Sequence, residues 1–306
     1  MGLVASENSV AKRMPHAAVP ARFLSGLAEI APRYDVILCD VWGVIHNGRE
    51  SFPLAVAALE AFGQRIGKPV VLISNAPRPS FDVRPQLRAL KVPDTAFSGF
   101  VTSGDATRAE LARRAPGPAW AIGPERDGPL YEGLDLTFAG PDRAAFISAT
   151  GLIDDETETP ETYRADLQIA AARGLTLVCA NPDRVVHRGE KLIYCAGALA
   201  DLYEGLGGQV VMAGKPYAPI YDLALIEAEG LLGEPVRRER VLAIGDGGPT
   251  DVAGANLQGL DCLFIAGGIH QQAVSAPDGG IDEALTRQFL SQAGLTSTYV
   301  LPHLRW

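Results

Sequence analysis

Asp40 closes the apolar run Val36-Ile37-Leu38-Cys39 and is followed by Val41-Trp42-Gly43-Val44. Four apolar residues of this kind read as a strand buried on both faces of a parallel sheet. Carboxylates are rarely buried without a partner, and open α/β sheets place ligands at the carboxyl ends of their strands. Asp40 is therefore expected to meet a metal, a cation or a substrate. Three further apolar runs end in polar residues. Val70–Ile73 runs into Ser74-Asn75, Val210–Met212 precedes Gly214-Lys215-Pro216, and Val241–Ile244 runs into Gly245-Asp246-Gly247-Gly248-Pro249-Thr250-Asp251. In one parallel sheet, four such ends converge on one crevice.

These residue types together suit phosphoryl transfer. A carboxylate such as Asp40 can attack phosphorus and form an aspartyl-phosphate. Asp246 and Asp251, with Asp40, are hard oxygen ligands of the kind Mg²⁺ takes alongside a substrate phosphate. Lys215 supplies a point cation for phosphate charge, and the Ser74 hydroxyl and nearby loop amides supply hydrogen-bond donors. Taken singly, each has a plainer reading. Lys215 reads as a surface lysine, Ser74-Asn75 as a turn or helix cap, and Gly245–Asp251 as a glycine-rich turn with Asp251 capping the next helix. Pro216 stands where a phosphate-binding loop needs Ser or Thr, and the upstream glycine is missing. The four together, in order at four strand ends, favour the catalytic reading.

The elements that must position them alternate strand and helix, which predicts an α/β fold with a doubly wound parallel sheet covered on both faces. Further strands are expected at Ala119–Ile122, Ala145–Ser148, Leu175–Cys179 and Cys262–Ile265. Helices are expected at Leu54–Ile66, Ser80–Leu90, Asp105–Arg114, Thr162–Arg173, Pro219–Leu232 and Asp251–Gln258. Pro/Gly-rich breaks at Ala115-Pro116-Gly117-Pro118 and Gly205-Leu206-Gly207-Gly208 suggest an insertion. The reading is a flexible segment over 1–22, a core over 23–116 and 209–306, and an inserted α/β domain over 117–208.

Composition limits the functions available. With 306 residues, 47% of them hydrophobic, the chain has ample material for a packed core and is expected to form one large or two smaller domains. A net charge of −9 without a Lys/Arg-rich run argues against nucleic acid as a partner. No run reaches the length of a membrane span, and the first 22 residues lack the apolar stretch of a signal peptide, so a cytoplasmic protein is expected. The scattered Cys39, Cys179, Cys195 and Cys262 read as buried thiols rather than disulfides or zinc ligands.

The four strand-end motifs resemble those of the haloacid dehalogenase (HAD) superfamily, in the family's order. Gly43-Val44-Ile45, Asn47-Gly48 and Pro53 resemble its class IIA branch, which includes sugar-, nucleotide- and pyridoxal-phosphate phosphatases. Val178-Cys179-Ala180-Asn181-Pro182-Asp183 resembles that branch's Asn-Pro-Asp cap signature, and Cys195-Ala196-Gly197-Ala198 its glycine-rich start of the last cap helix. The likeness runs from about Tyr34 to Ile269, and the Asp-x-Trp-Gly-Val form looks like an uncharacterised subgroup. It implies a HAD core with an inserted cap. In it Asp40 is the nucleophile, and the metal ligands are Asp40, the Trp42 backbone carbonyl, Asp246 and Asp251. Ser74 and Lys215 hold the phosphoryl group, with Gly43 and Asn75 beside them. On the cap, Asn181, Asp183, Arg184 and His187 face the substrate, although the charged loop that carries them also reads as merely solvated. The cofactor is expected to be Mg²⁺ and the partner a small phosphorylated metabolite. The analogy also raises homodimerisation through the cap.

Trp42 departs from the pattern. Phosphatases of the family usually carry Asp two residues after the nucleophile, to protonate the leaving oxygen and then activate water. Indole does neither, and loss of such a group costs roughly 10²–10⁴-fold. Three explanations compete: a slow phosphatase that either acts on esters with good leaving groups or borrows an acid, with His46 and His187 as candidates, a non-hydrolytic binder of phosphate ligands, and a dehalogenase-like attack on carbon. Retention of Asp246 and Asp251 favours metal-dependent phosphoryl chemistry over the last.

Overall fold

The computed structural model describes residues 21–188, 191–277 and 279–306, and no side chains at 187, 188, 191 and 192. Residues 1–20 of the segment expected to be flexible lie outside the described residues, while Arg22 already belongs to the first strand.

The larger sheet has seven strands: β1 (Arg22–Phe23), β2 (Val36–Asp40), β3 (Val70–Ser74), β4 (Gly99–Thr102), β11 (Val241–Gly245), β12 (Asp261–Ile265) and β13 (Tyr299–Leu301). Its order is β1-β13-β12-β11-β2-β3-β4, parallel throughout. Every residue of β2 and β11 is buried, because both faces of a parallel sheet are covered by crossover helices. Alternate side chains feed two cores. Ile37, Leu72, Leu242 and Leu263 lie on one face, and Leu38, Val71, Ala243 and Phe264 lie on the other. The chain winds outward in one direction through β2, β3 and β4 and in the other through β11, β12 and β13. The switch point therefore falls between β2 and β11, the place where such sheets open a crevice for ligands.

A second parallel sheet has the order β10-β7-β6-β5, from β5 (Ala119–Ile122), β6 (Phe146–Ala149), β7 (Thr176–Cys179) and β10 (Gln209–Met212). It packs its own core, with Leu167, Leu177, Leu199 and Tyr203. Between β7 and β10 lie an antiparallel hairpin of β8 (Val185–Arg188) and β9 (Lys191–Tyr194) and the helix Ala196–Gly205. One expectation needs correction here. The sequence reading assigns Gln209–Met212 to the first domain, yet β10 pairs with β7 in register Val210↔Leu177. The Gly207-Gly208 break marks a turn but carries no information about the pairing partner.

The two units are joined through the helix Ser103–Ala112. A capping box fixes its start: Thr102 Oγ1 accepts from Asp105 N, and Asp105 accepts from Thr102 N, satisfying two orphan donors. Five residues on, Arg108 donates to the carbonyls of Pro129, Leu130 and Glu132 beside the smaller sheet. The helix Ala218–Leu232 returns the chain to β11, and Gly233 at φ 74° ends it in the left-handed conformation glycine adopts without strain. The four cysteines are buried thiols, as expected. Among the described residues no helix is long and apolar enough to cross a membrane.

Candidate active site

Asp40 ends β2 and Asp246 follows β11, so adjacent strands place both carboxyls at the switch point. Asp251 reaches the same spot from the wide helical turn Gly248–Val252. Each of the three residues offers an oxygen within 4.8 Å of the others', and all three are buried. Lys215 comes from the loop after β10 and lies among them. Its Nζ donates to Asp40 Oδ1 at 2.5 Å and to Asp251 Oδ1 at 2.7 Å, with 3% of the side chain exposed. Only three of the four strand ends thus belong to the larger sheet, and the cation is delivered from the edge of the smaller one.

Three carboxyls around one ammonium cannot all ionise freely. Burial and the charge of Asp251 raise Asp40 well above the usual carboxylate range, with Lys215 opposing. The same two causes push Asp246 up to about 7, although Ile269 N donates to its Oδ2 at 2.8 Å. Burial alone would discharge Lys215, but the carboxylates of Asp251 and Asp40 outweigh it and hold the ammonium charged. The cluster carries excess negative charge, which a divalent cation relieves. Hard oxygen donors at this spacing fit Mg²⁺. Asp40 and Asp246 each spend one oxygen on the protein and keep a second for a cation. Asp251 has both engaged, Oδ1 by Lys215 and Oδ2 by Gly247 N at 2.9 Å, so contact through water suits it better.

The backbone is shaped around these carboxyls. Gly43, at φ 81°, lies so close that a Cβ would overlap the Asp246 carboxylate. A Cβ on Gly268 would meet the same group and one on Gly245 would meet Asp251. Ser74 ends β3, where its Oγ accepts from Ala76 N at 3.2 Å and keeps its own proton to donate. Asn75 contacts the backbone of Lys215.

Sequence-family models for haloacid dehalogenase-like hydrolase and for HAD-hydrolase-like proteins match residues 37–137 and 212–286. A solved haloacid dehalogenase-like family hydrolase from Brucella suis 1330 is 45% identical, with a TM-score of 0.78 over 94% of this chain and 100% of that one. This chain is a haloacid dehalogenase-like hydrolase. The HAD-like hydrolase shares its fold with more distant solved structures as well. A p-nitrophenyl phosphatase from Archaeoglobus fulgidus has a TM-score of 0.69 at 21% identity, over 88% of this chain and 96% of that one. A 4-nitrophenylphosphatase from Thermotoga maritima has a TM-score of 0.66 at 20% identity, over 90% and 96%. No curated protein sequence matches the chain.

In this HAD-like hydrolase the Trp42 ring leans edge-on against His46, centroids 5.3 Å apart, and lies over Gly48, with 54% of the residue exposed. His46 is buried, and burial pulls its pKa down to about 4. Its Nδ1 accepts from Gly48 N at 3.0 Å. A neutral imidazole so engaged is no proton donor at neutral pH, which removes His46 as the borrowed acid. The side chain of His187, the other candidate, lies outside the described residues. On the smaller unit, Asn181 is buried and its Oδ1 accepts from Asp183 N at 3.0 Å. Arg184 forks onto Asp201 at 2.9 and 3.0 Å, so its guanidinium is committed to the surface of the 196–205 helix.

Sequence reasoning missed one support. The loop Ala266-Gly267-Gly268-Ile269-His270 after β12 braces the segment that carries Asp246 and Asp251. Ile269 N donates to Asp246, and His270 Nε2 accepts from Gly248 N at 3.1 Å. The signal was present as a Gly-Gly pair one residue past a largely buried strand, a fifth strand end of the same kind.

Proposed function

We propose that this hydrolase is a divalent-metal-dependent phosphatase of small phosphomonoesters, with Mg²⁺ as the ion and Asp40 as the nucleophile. The observation that carries the reading is the buried Lys215 ammonium shared between Asp40 and Asp251 beside Asp246. A carboxylate held against a cation at the mouth of a parallel sheet is poised to meet an incoming phosphoryl group. The nitrophenyl phosphatases that share the fold lend support by analogy.

Asp40, Asp246, Asp251 and the Trp42 carbonyl would hold the metal, which when bound neutralises phosphoryl oxygens as a Lewis acid. The Asp40 oxygen attacks phosphorus, the ester P–O bond breaks, and the bonding pair leaves with the alcohol oxygen. Lys215 and the Ser74 hydroxyl hold the three remaining phosphoryl oxygens as charge spreads over them. Water then attacks phosphorus, the acyl-phosphate bond breaks, and inorganic phosphate leaves with Asp40 restored. With Trp42 at the usual acid/base position, the leaving oxygen departs unprotonated and the attacking water is not activated. Aryl phosphates are the favoured substrates on this account, and dephosphorylation is slow. The four-stranded unit is the cap that closes over this site and selects the substrate.

The test is a phosphatase screen with and without Mg²⁺. Hydrolysis abolished by both EDTA and Asp40→Asn supports the reading, and tight phosphometabolite binding without turnover sinks it.

A further inference from the structure

The Asn75 side chain uses both ends of its amide. Its Oδ1 accepts from Lys215 N at 2.7 Å, and its Nδ2 donates at 3.2 Å both to the Lys215 carbonyl and to Asp183 Oδ1. These partners come from different places. Asn75 follows β3 of the larger sheet, Lys215 leaves the edge strand of the smaller one, and Asp183 lies on the loop after β7. One amide therefore ties together three segments of two units.

The surroundings leave little freedom. A Cβ on Gly214 would lie 2.6 Å from Asn75 Oδ1, 2.7 Å from Pro182 Cδ and 2.7 Å from Ser103 Oγ. Gly197, at the start of the 196–205 helix, has no room for a Cβ because the Pro182 backbone fills that space, and its N–H donates to the Asp183 carbonyl. The loop 181–183 is thus wedged between a helix start and the residue preceding Lys215. Among the described residues, Lys215 is the cation that reaches Asp40. Displacing a catalytic group by about 1 Å can cost 10²-fold in rate, so whatever fixes the Lys215 backbone controls the reaction.

We propose that Asn75 is a positioning residue for Lys215, and that its bond to Asp183 makes this positioning depend on the docking of the 181–183 loop. The smaller unit thereby sets the reach of the ammonium toward Asp40. In its kinetic form the inference rests on the phosphatase reading, while the bond network can be tested without it.

The kinetic arm uses p-nitrophenyl phosphate with Mg²⁺. Asn75→Asp keeps an acceptor for Lys215 N but loses both donors and sets a carboxylate against Asp183. It is expected to lower kcat about 10²-fold with KM changed far less. Adding Asp183→Asn to that chain returns a donor to the pair from the opposite side and is expected to recover about tenfold of the loss. Asp183→Ala should lose more activity than Asp183→Asn. A purely structural role predicts no recovery in the double variant. The second arm needs no turnover: urea unfolding of Asn75→Ala, Asp183→Ala and the double variant, which should be non-additive if the two side chains interact. Non-additive unfolding in a chain that hydrolyses nothing sinks the phosphatase reading and keeps the coupling. Additive unfolding together with an unrecovered Asn75→Asp overturns the coupling and leaves the phosphatase reading standing.

Discussion

Replacing Trp42 with Asp should raise the phosphatase rate, and the structure sets the size of both gain and cost. The indole lies edge-on to His46 and over Gly48, with 54% of the residue exposed. Its removal exposes roughly 100 Å² of apolar surface, worth about 2–3 kcal/mol at about 25 cal/mol per Å², an upper bound on the true loss. That loss falls on the turn and hairpin around residues 42–51 rather than on the sheet cores. The gain is a general acid–base, worth on the order of 10²–10⁴-fold. The assay is kcat/KM across phosphomonoesters graded by leaving-group pKa, for the unmutated chain, Trp42→Asp and Trp42→Asn. The unmutated chain should slow steeply as the leaving group becomes more basic. In Trp42→Asp the dependence should flatten and alkyl phosphates should gain about 10²-fold or more. Trp42→Asn removes the same ring without adding a proton donor. Equal gains in both variants would show that the indole merely blocks the site, and the acid–base argument would fail.

Other expectations follow from the same cluster. Lys215→Met leaves three buried carboxyls without their cation and should destabilise the metal-free protein by about 3–5 kcal/mol, with much of the loss recovered by Mg²⁺ in thermal melts. A variant as stable as the unmutated chain in EDTA would contradict that charge balance. Asp246 titrates near 7, raised by burial and by Asp251, so its folded-state pKa lies above its unfolded one. Its contribution to metal-free stability is fully present below the unfolded carboxylate range, about pH 4, and is lost as pH rises through about 7. Metal binding must displace this proton, so the Tm increase caused by Mg²⁺ should be larger at pH 8 than at pH 5.5; a pH-independent increase would refute this. Gly43→Ala and Gly268→Ala each put a Cβ into the Asp246 carboxylate. Both should weaken Mg²⁺ binding at least tenfold by calorimetry while leaving secondary structure unchanged by circular dichroism, and unaltered affinity would contradict the close approach.

The strands that carry Asp40, Ser74 and Asp246 were legible because a fully buried parallel strand is a continuous apolar run, and its end is marked by the first polar residue. Val36–Cys39, Val70–Ile73 and Val241–Ile244 each extend by one residue in the structure, to Asp40, Ser74 and Gly245. β4 escaped notice because Gly99 and Thr102 dilute its apolar character, and β1 and β13 are too short to show a pattern. The pairing of β10 with β7 was not legible either, since periodicity specifies a strand and not its neighbour. The residue types of the site could be read from the sequence, but the partners of Asn75 and Arg184 could not. Those partners lie up to 140 residues away in the case of Asn75 and Lys215, and only the folded chain brings them together.

Asp40 is expected to be phosphorylated readily, with Trp42 leaving the second step without a base. Rapid-mixing kinetics with p-nitrophenyl phosphate and Mg²⁺ test it most directly. The expected result is a burst approaching one nitrophenolate per chain, followed by slow turnover, with a phosphoryl group recovered on Asp40 after an acid quench and no burst in Asp40→Asn. Linear release from the first turnover with no phosphorylated Asp40, or a burst that survives Asp40→Asn, would contradict it.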